Sequence, residues 1–372
     1  MEKKSVVNPW EVSGNINYEK LIKEFGVSHL KELPAIFNEN VLFRRRIIFA
    51  HRDIQRILEA IKNKKPFVMM TGLMPTGKFH IGHMLLAQQM IFYQKLGAKI
   101  YIAVADIEAY NTRSQSLEES RKIAVEEYIP SYIALGLKPA NCEIYFQSAR
   151  SQNAEKSNAY YRLQNILARY ATFSEFKAVY GEITPGKMLS ALIQASDMLH
   201  PQLLEFENSI PTIVPVGIDQ DPHLRLARDI SQRIKSPKFI QLSSTYHIFA
   251  PGLRTGKMSS SDINSFIALT DLPKIVETKI KKYAFSGGQN TIEEHRKKGG
   301  NPDIDVSFQY LKMFFEQNDK KLMQIEKNYK SGKMLTSELK EYTIKKINSF
   351  LAGHQKKREL AKKRVNKFVI KN

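Results

Sequence analysis

Between Pro66 and Gln147 short apolar runs alternate with longer amphipathic ones, and this alternation confines the chain to a parallel sheet covered by helices. Pro66-Phe67-Val68-Met69-Met70 has strand character and stops at Thr71-Gly72, before a loop that contains Pro75 and Gly77. The spacing then predicts a helix over 81–96, a second strand over 99–105 ending at Asp106, a helix over 117–135 and a third strand over 143–147. Strand, helix, strand, helix, strand is the βαβ alternation of a Rossmann-type sheet. Such sheets bind ligands outside the carboxyl ends of their strands, so the loops after Met70, Ala105 and Gln147 are the places for a site.

The flanking sequence is compatible with that core. Apolar spacing predicts helices over 18–25 and 53–61, with a basic-aromatic segment, 41–51, leading into the second. Residues 160–204 read as mainly helical, 212–216 as a strand followed by a glycine and acidic loop, 222–235 as a charged helix and 239–242 as the last core strand. Beyond Leu272 the pattern becomes helical and rich in lysine. The expected organisation is therefore an α/β protein: an extension, 1–60, packed on a Rossmann-type catalytic domain with a helical insertion, 61–271, and a basic α-helical domain, 272–372. A net charge of +20 raises the local concentration of polyanions such as nucleic acid, although surface lysines that only solubilise the chain would give the same sum. The stretch HQKKRELAKKRVNKFVIK, 354–371, reads as a helix with basic residues on several faces. Cys142 is the only cysteine, which excludes an internal disulfide framework and a cysteine-rich zinc site. No apolar run is long enough to span a bilayer and no apolar signal core follows Met1, so a cytoplasmic protein without membrane attachment is expected.

Two motifs carry chemistry. His80-Ile81-Gly82-His83 opens a helix after the Gly/Pro loop, where free backbone N–H groups and the positive helix end favour a phosphate. Gly82 leaves room for a base or ribose to approach the backbone, and two imidazoles can donate to phosphate oxygens. Lys257-Met258-Ser259-Ser260-Ser261-Asp262, flanked by Gly252 and Gly256, sets a point charge and several hydroxyl donors on a loop able to close on a triphosphate. Alone, the first stretch reads more readily as a structural histidine pair, with zinc a further alternative that lacks a strong third ligand nearby, and the second as a polar surface loop. Together, in this order and separated by a Rossmann-length stretch, they resemble the HIGH and KMSKS signatures of class I aminoacyl-tRNA synthetases.

Within that class the chain is similar, over nearly its whole length, to the tryptophanyl enzymes of archaeal and eukaryotic type. The matching segments are Asn8-Pro9-Trp10-Glu11-Val12, Phe49-Ala50-His51-Arg52-Asp53, Gly217-Ile218-Asp219-Gln220-Asp221-Pro222, Ala284-Phe285-Ser286-Gly287-Gly288, Thr291-Ile292-Glu293-Glu294-His295-Arg296 and Asp305-Val306-Ser307-Phe308. The resemblance implies ATP-dependent activation of L-tryptophan, transfer to tRNA(Trp), magnesium carried on the ATP, no dedicated protein metal site, and a homodimer. It implies His80, His83, Lys257, Ser259 and Ser260 as catalytic groups, with Gly72, Thr76, Gly82, Asp219, Lys257 and Met258 around the ATP. Asp219 is suited to a ribose hydroxyl. Glu108 would be a carboxylate near the bound tryptophan, Gln194 and Gln220 would hold the amino acid's polar head, and Asp197 is a further candidate for its ammonium group. The basic C-terminal region would read the anticodon; there Phe308, Tyr310, Phe314 and Phe315 have the spacing of a buried helix face rather than of a base-stacking platform.

One departure bears on the side-chain pocket. Eukaryotic members carry a tyrosine and a glutamine near the indole N–H where this chain has Met70 and Ala103, leaving Glu108 and Tyr110 as candidate acceptors. The competing readings are a tyrosyl-tRNA synthetase, whose substrate-contacting tyrosine is also absent at Met70, a non-catalytic RNA-binding relative, and a nucleotidyltransferase with the histidine motif alone. Intact His80, His83, Lys257 and Ser259 and the basic C-terminus argue against the last two.

Overall fold

The computed structural model describes residues 17–254, 256, 258 and 262–369, together with the backbone of Val6–Val7 and Val12–Ser13, which pair antiparallel. Seven strands form the main sheet: β1 (Ser28–His29), β2 (Ile48–Arg52), β3 (Val68–Leu73), β4 (Lys99–Val104), β5 (Cys142–Phe146), β6 (Thr212–Gly217) and β7 (Ser243–His247). Their spatial order is β1-β2-β7-β6-β3-β4-β5. The stretch from β7 to β5 is parallel, and β1 and β2 extend it antiparallel.

Both faces of the sheet are buried, as a parallel sheet wrapped by crossover helices requires. Alternation along each strand sorts the side chains. Met69, Leu73, Ile100, Ile102, Val104, Ile144 and Phe146 enter one apolar core. Val68, Met70, Tyr101, Ala103, Tyr145, Val214 and Tyr246 enter the other. The first core continues into the C-terminal helices through Phe308, Tyr310, Phe314 and Phe315, all buried, as their spacing predicts. The second is covered by helices Ala154–Tyr170, Phe173–Tyr180, Pro185–Leu199 and Asp221–Arg233.

Two expectations are corrected. The last core strand is not 239–242 but Ser243–His247. Its hydroxyl side chains disguise it: Ser243 Oγ donates to the Asp53 carbonyl at 2.6 Å and Thr245 Oγ1 bonds Gln89 Oε1 at 3.3 Å, so polar residues sit buried where an apolar run was sought. The basic-aromatic segment 41–51, for which residue type predicts no element, is a short helix, Val41–Arg44, followed by β2, which pairs with β7. The basic stretch at the C-terminus remains helical only to Lys362; Phe368 is then buried and accepts a bond from Ile144 N–H at 3.1 Å, which places the chain beside edge strand β5.

Several motifs to which residue type gave no chemical role are joints. Arg52 grips Asp221 with Nε and Nη2, both at 2.9 Å, while Tyr246 Oη donates to the same carboxylate; this ties β2 to the start of helix Asp221–Arg233. Asp305 caps its own helix through Phe308 N–H at 3.1 Å and receives Gly287 N–H at 2.9 Å and Tyr329 Oη at 2.8 Å. A Cβ on Gly287 would collide with the Asn301 carbonyl, so that position has room only for glycine.

Candidate active site

Strand order reverses between β3 and β6, and at such a switch point the loops diverge and leave a crevice at the carboxyl edge of the sheet. A cavity of about 460 Å³ opens there, with Met70, Thr71 and Gly72 from β3, Ala105 after β4 and Val214 to Gly217 from β6 in its walls. The histidine motif lines it. His80, Gly82 and His83 face the cavity from the 3₁₀ turn Ile81–His83, which runs into helix Met84–Lys95.

The histidines order each other. His80 N–H donates to His83 Nδ1 at 3.0 Å, which leaves Nε2 to carry that ring's proton and makes it a donor. The two rings stack with centroids 3.7 Å apart, and Tyr128 and Phe79 pack on His83 at 5.2 and 5.0 Å. The second motif reaches the same place. Met258 lines the cavity, and its Sδ would stand 2.9 Å from a Cβ built on Gly82. The segment after it pairs with the histidine loop: Ile81 N–H donates to the Ile267 carbonyl at 3.0 Å and Leu269 N–H to the Phe79 carbonyl at 2.9 Å. Lys257, Ser259 and Ser260 lie outside the described residues, as does the Asn8–Trp10 segment. Gly256 and Met258 on either side of Lys257 are described.

The lining also includes a buried polar cluster. Glu108, on the first turn of helix Asp106–Arg113, accepts from Gln194 Nε2 of helix Pro185–Leu199. Burial pushes its carboxyl up to about 7, nearby Asp197 adds to the rise, and Gln194 and Arg113 oppose it. Asp197 lies one helical turn after Gln194 and accepts from Tyr145 Oη at 2.7 Å, Tyr160 Oη at 2.6 Å and Gln147 Nε2 at 2.7 Å. Burial raises its carboxyl to about 6 against those three donors. Gln147 Oε1 in turn receives Glu108 N–H at 3.3 Å, so both acids share one network. Gln220 faces the cavity and donates to Asp219 at 3.0 Å. Asp219 is buried and folded against Gly217, where a Cβ would strike its carboxylate.

Met70, Gly72, Thr76, His80, Gly82, His83, Glu108, Gln194, Asp197, Gln220 and Met258 thus meet around one cavity, and Asp219 sits beside it. Ala103 lies fully buried behind β3, paired with Gly72. Tyr110 is 60% exposed on the outer side of its helix and is no candidate for the indole. The sequence reading missed Gln147, Tyr145 and Tyr160. Strand alternation puts Tyr145 and Gln147 on one side of β5, but only the fold reveals Asp197 opposite them. Among the described residues no group of three or more His, Cys, Asp or Glu side chains is placed to hold a metal ion, and no helix is long and apolar enough to cross a membrane.

The family model for tRNA synthetases class I (W and Y) matches residues 62–352. A tryptophan–tRNA ligase of Methanocaldococcus jannaschii is 42% identical over 362 residues, covering 96% of each chain. One from Hyperthermus butylicus is 40% identical over 98% of this chain and 97% of its own. The crystal structure of tryptophanyl-tRNA synthetase from Aeropyrum pernix superposes with a TM-score of 0.89 at 40% identity, covering 95% of this chain and 96% of that one. A tryptophanyl-tRNA synthetase from Encephalitozoon cuniculi, bound to tryptophan, gives 0.80 at 28% identity over 95% and 99%. With the Rossmann sheet, the histidine helix start and Met258 meeting at its switch point, and these likenesses over almost the entire length, the chain belongs to the class I tRNA synthetases of the W and Y group.

Proposed function

We propose that the protein activates L-tryptophan with ATP and transfers it to tRNA(Trp), releasing AMP and diphosphate. The observation that carries this reading is one cavity lined both by imidazoles at a helix start and by a buried carboxylate-amide cluster. Tryptophan's ammonium meets Glu108, and the amides of Gln194 and Gln220 complete the cradle for its polar head, with Asp197 holding the cluster through Gln147. The indole packs against Met70, whose thioether suits an aromatic face.

The carboxylate of tryptophan attacks the α-phosphorus of ATP in line and diphosphate leaves. No side-chain nucleophile takes part; the protein positions the reactants and stabilises charge. His80, His83 and the helix start hold phosphate oxygens, Gly72, Thr76 and Gly82 leave room for the nucleotide, and Asp219 serves the ribose. Lys257 with Ser259 and Ser260 closes on the departing diphosphate, and Met258 seats that loop against Gly82. Magnesium enters as part of the substrate, held by phosphate oxygens and water. The terminal ribose of tRNA then attacks the mixed anhydride through its 2′-hydroxyl. The lysine-rich helices after residue 271 form the anticodon-binding part, residues 1–60 pack on the catalytic part, and the protein works as a homodimer in the cytoplasm.

The test is diphosphate exchange into ATP, run separately with each of the twenty amino acids. Tryptophan is expected to support exchange and tyrosine not. Exchange with tyrosine would turn the assignment to the sister specificity, and no exchange with any amino acid would favour a non-catalytic RNA-binding relative.

A further inference from the structure

Helix Thr336–Lys362 belongs to the lysine-rich C-terminal region, yet two of its side chains hold the backbone beside the histidine motif. Arg358 Nη2 donates to Glu127 Oε2 at 2.8 Å and to the Glu126 carbonyl at 2.6 Å. The other oxygen of Glu127 accepts Phe79 N–H at 3.2 Å. One turn earlier, Gln355 Nε2 donates to the carbonyls of Leu269 at 3.1 Å and Asp271 at 3.0 Å. Leu269 N–H donates to the Phe79 carbonyl at 2.9 Å. Both backbone groups of the residue before His80 are therefore tied, each through one intermediary, to one face of the C-terminal helix.

The local backbone shows why Glu127 can serve. Ala124–Tyr128 is a π-helical turn in the middle of the 117–135 helix, and the widened turn brings two successive residues to the same loop. Glu127 takes the Phe79 N–H, while Tyr128 Oη donates to the Thr76 carbonyl at 2.9 Å and its ring packs on His83. The Arg358–Glu127 pair is largely withdrawn from water, with side-chain exposures of 9% and 11%; the other cation near Glu127 is exposed Lys78, at 3.8 Å. A withdrawn pair in this geometry fixes position more firmly than a surface pair does.

We infer that Arg358 and Gln355 are positioning residues for the phosphate-binding loop: the C-terminal helix clamps Phe79 from both sides and so sets where His80 and His83 meet the triphosphate. Neither residue lines the cavity, and the inference rests on the reading of that cavity as the site of adenylate formation.

The experiment compares Arg358→Met, Arg358→Lys, Gln355→Met and the exposed control Lys356→Met in full-length protein, reading tryptophan-dependent diphosphate exchange, tryptophan binding by equilibrium dialysis, and thermal midpoint. Arg358→Met is expected to lower the exchange kcat by about tenfold and raise the KM for ATP, while the tryptophan Kd stays within about twofold, a change of the size that off-site coupling residues produce. Arg358→Lys should recover part of the rate, because an ammonium can reach Glu127 but cannot also keep the second bond to the Glu126 carbonyl in the same geometry. Gln355→Met should fall in the same direction by a smaller factor, and it keeps the test informative if Arg358→Met does not fold. Combining Arg358→Met with Glu127→Gln should cost no more than the worse single change, since both act through one contact. Folded variants with unchanged kcat, or losses in tryptophan affinity and kcat that together track a drop in folded fraction, would overturn the inference and leave the proposed function standing. Absence of exchange in the unaltered protein would instead remove the proposed function itself.

Discussion

Glu108 gives the most quantitative handle on the site. Its carboxyl is held at about 7 by burial, against an ordinary 4.5, so near neutral pH the empty pocket is only half ionised. Tryptophan's ammonium needs the ionised form. The ionised fraction falls from about 0.76 at pH 7.5 to about 0.09 at pH 6, so the apparent Kd for tryptophan should rise about eightfold over that interval. Replacing Glu108 by Gln removes a charge-assisted hydrogen bond in a buried setting, a loss of about 1.5–3 kcal/mol, or about 10- to 150-fold in Kd at pH 7.5. More telling, Glu108→Gln should flatten the pH dependence between 6 and 7.5, since an amide does not titrate. The sign for stability is opposite to that for binding. The folded state keeps a proton that the unfolded chain releases between about 4.5 and 7, so this group makes the empty protein more stable as pH falls through that window. Equilibrium dialysis with labelled tryptophan at several pH values measures the first effect. An unchanged slope in Glu108→Gln would refute the role given to this carboxylate.

Other expectations follow from single contacts. Gly82→Ala should slow diphosphate exchange with little loss of thermal midpoint, because its Cβ would press Met258 Sδ at 2.9 Å and the His80 ring at 3.1 Å; overpacking of about 1–3 kcal/mol felt in the transition state is about 5- to 150-fold in rate, and a fully active variant contradicts it. Lys257→Ala should reduce adenylate formation by about 2–4 kcal/mol in activation free energy and leave the tryptophan Kd nearly unchanged, read by single-turnover kinetics and dialysis. Asp221→Asn removes the buried carboxylate that Arg52 grips, while Arg52 keeps Tyr246 Oη and the carbonyls of Phe25 and Gly26, and should lower stability by about 1.5–3 kcal/mol in denaturant titration; a loss under 1 kcal/mol would show that the joint between β2 and helix Asp221–Arg233 carries little.

The parallel core and the approach of Met258 to the histidine motif were legible because each depends on local pattern: continuous apolar runs at β3 and β4, glycine before the histidine helix, and the spacing of the Lys-Met-Ser stretch. What hid was whatever depends on partners distant in sequence. Ser243–His247 reads as polar because its hydroxyls are paid for by bonds to Asp53 and Gln89 that no window of sequence contains. Asp197 was visible as an acid near Gln194, but its three donors come from β5 and helix Ala154–Tyr170. Tyr110 stands two residues from Glu108, and two residues along a helix is about 200° of rotation, which turns it to the outer face. The Arg52–Asp221 joint links two segments that the family resemblance had marked without a reason.

The most direct measurement is a crystal structure of the protein with tryptophan and a non-hydrolysable ATP analogue. The expected density has the triphosphate between the His80–His83 turn and the loop carrying Lys257, with the ammonium of tryptophan on Glu108. A triphosphate bound away from the imidazole pair, or Lys257 turned into a separate cavity with both ligands in place, would contradict it.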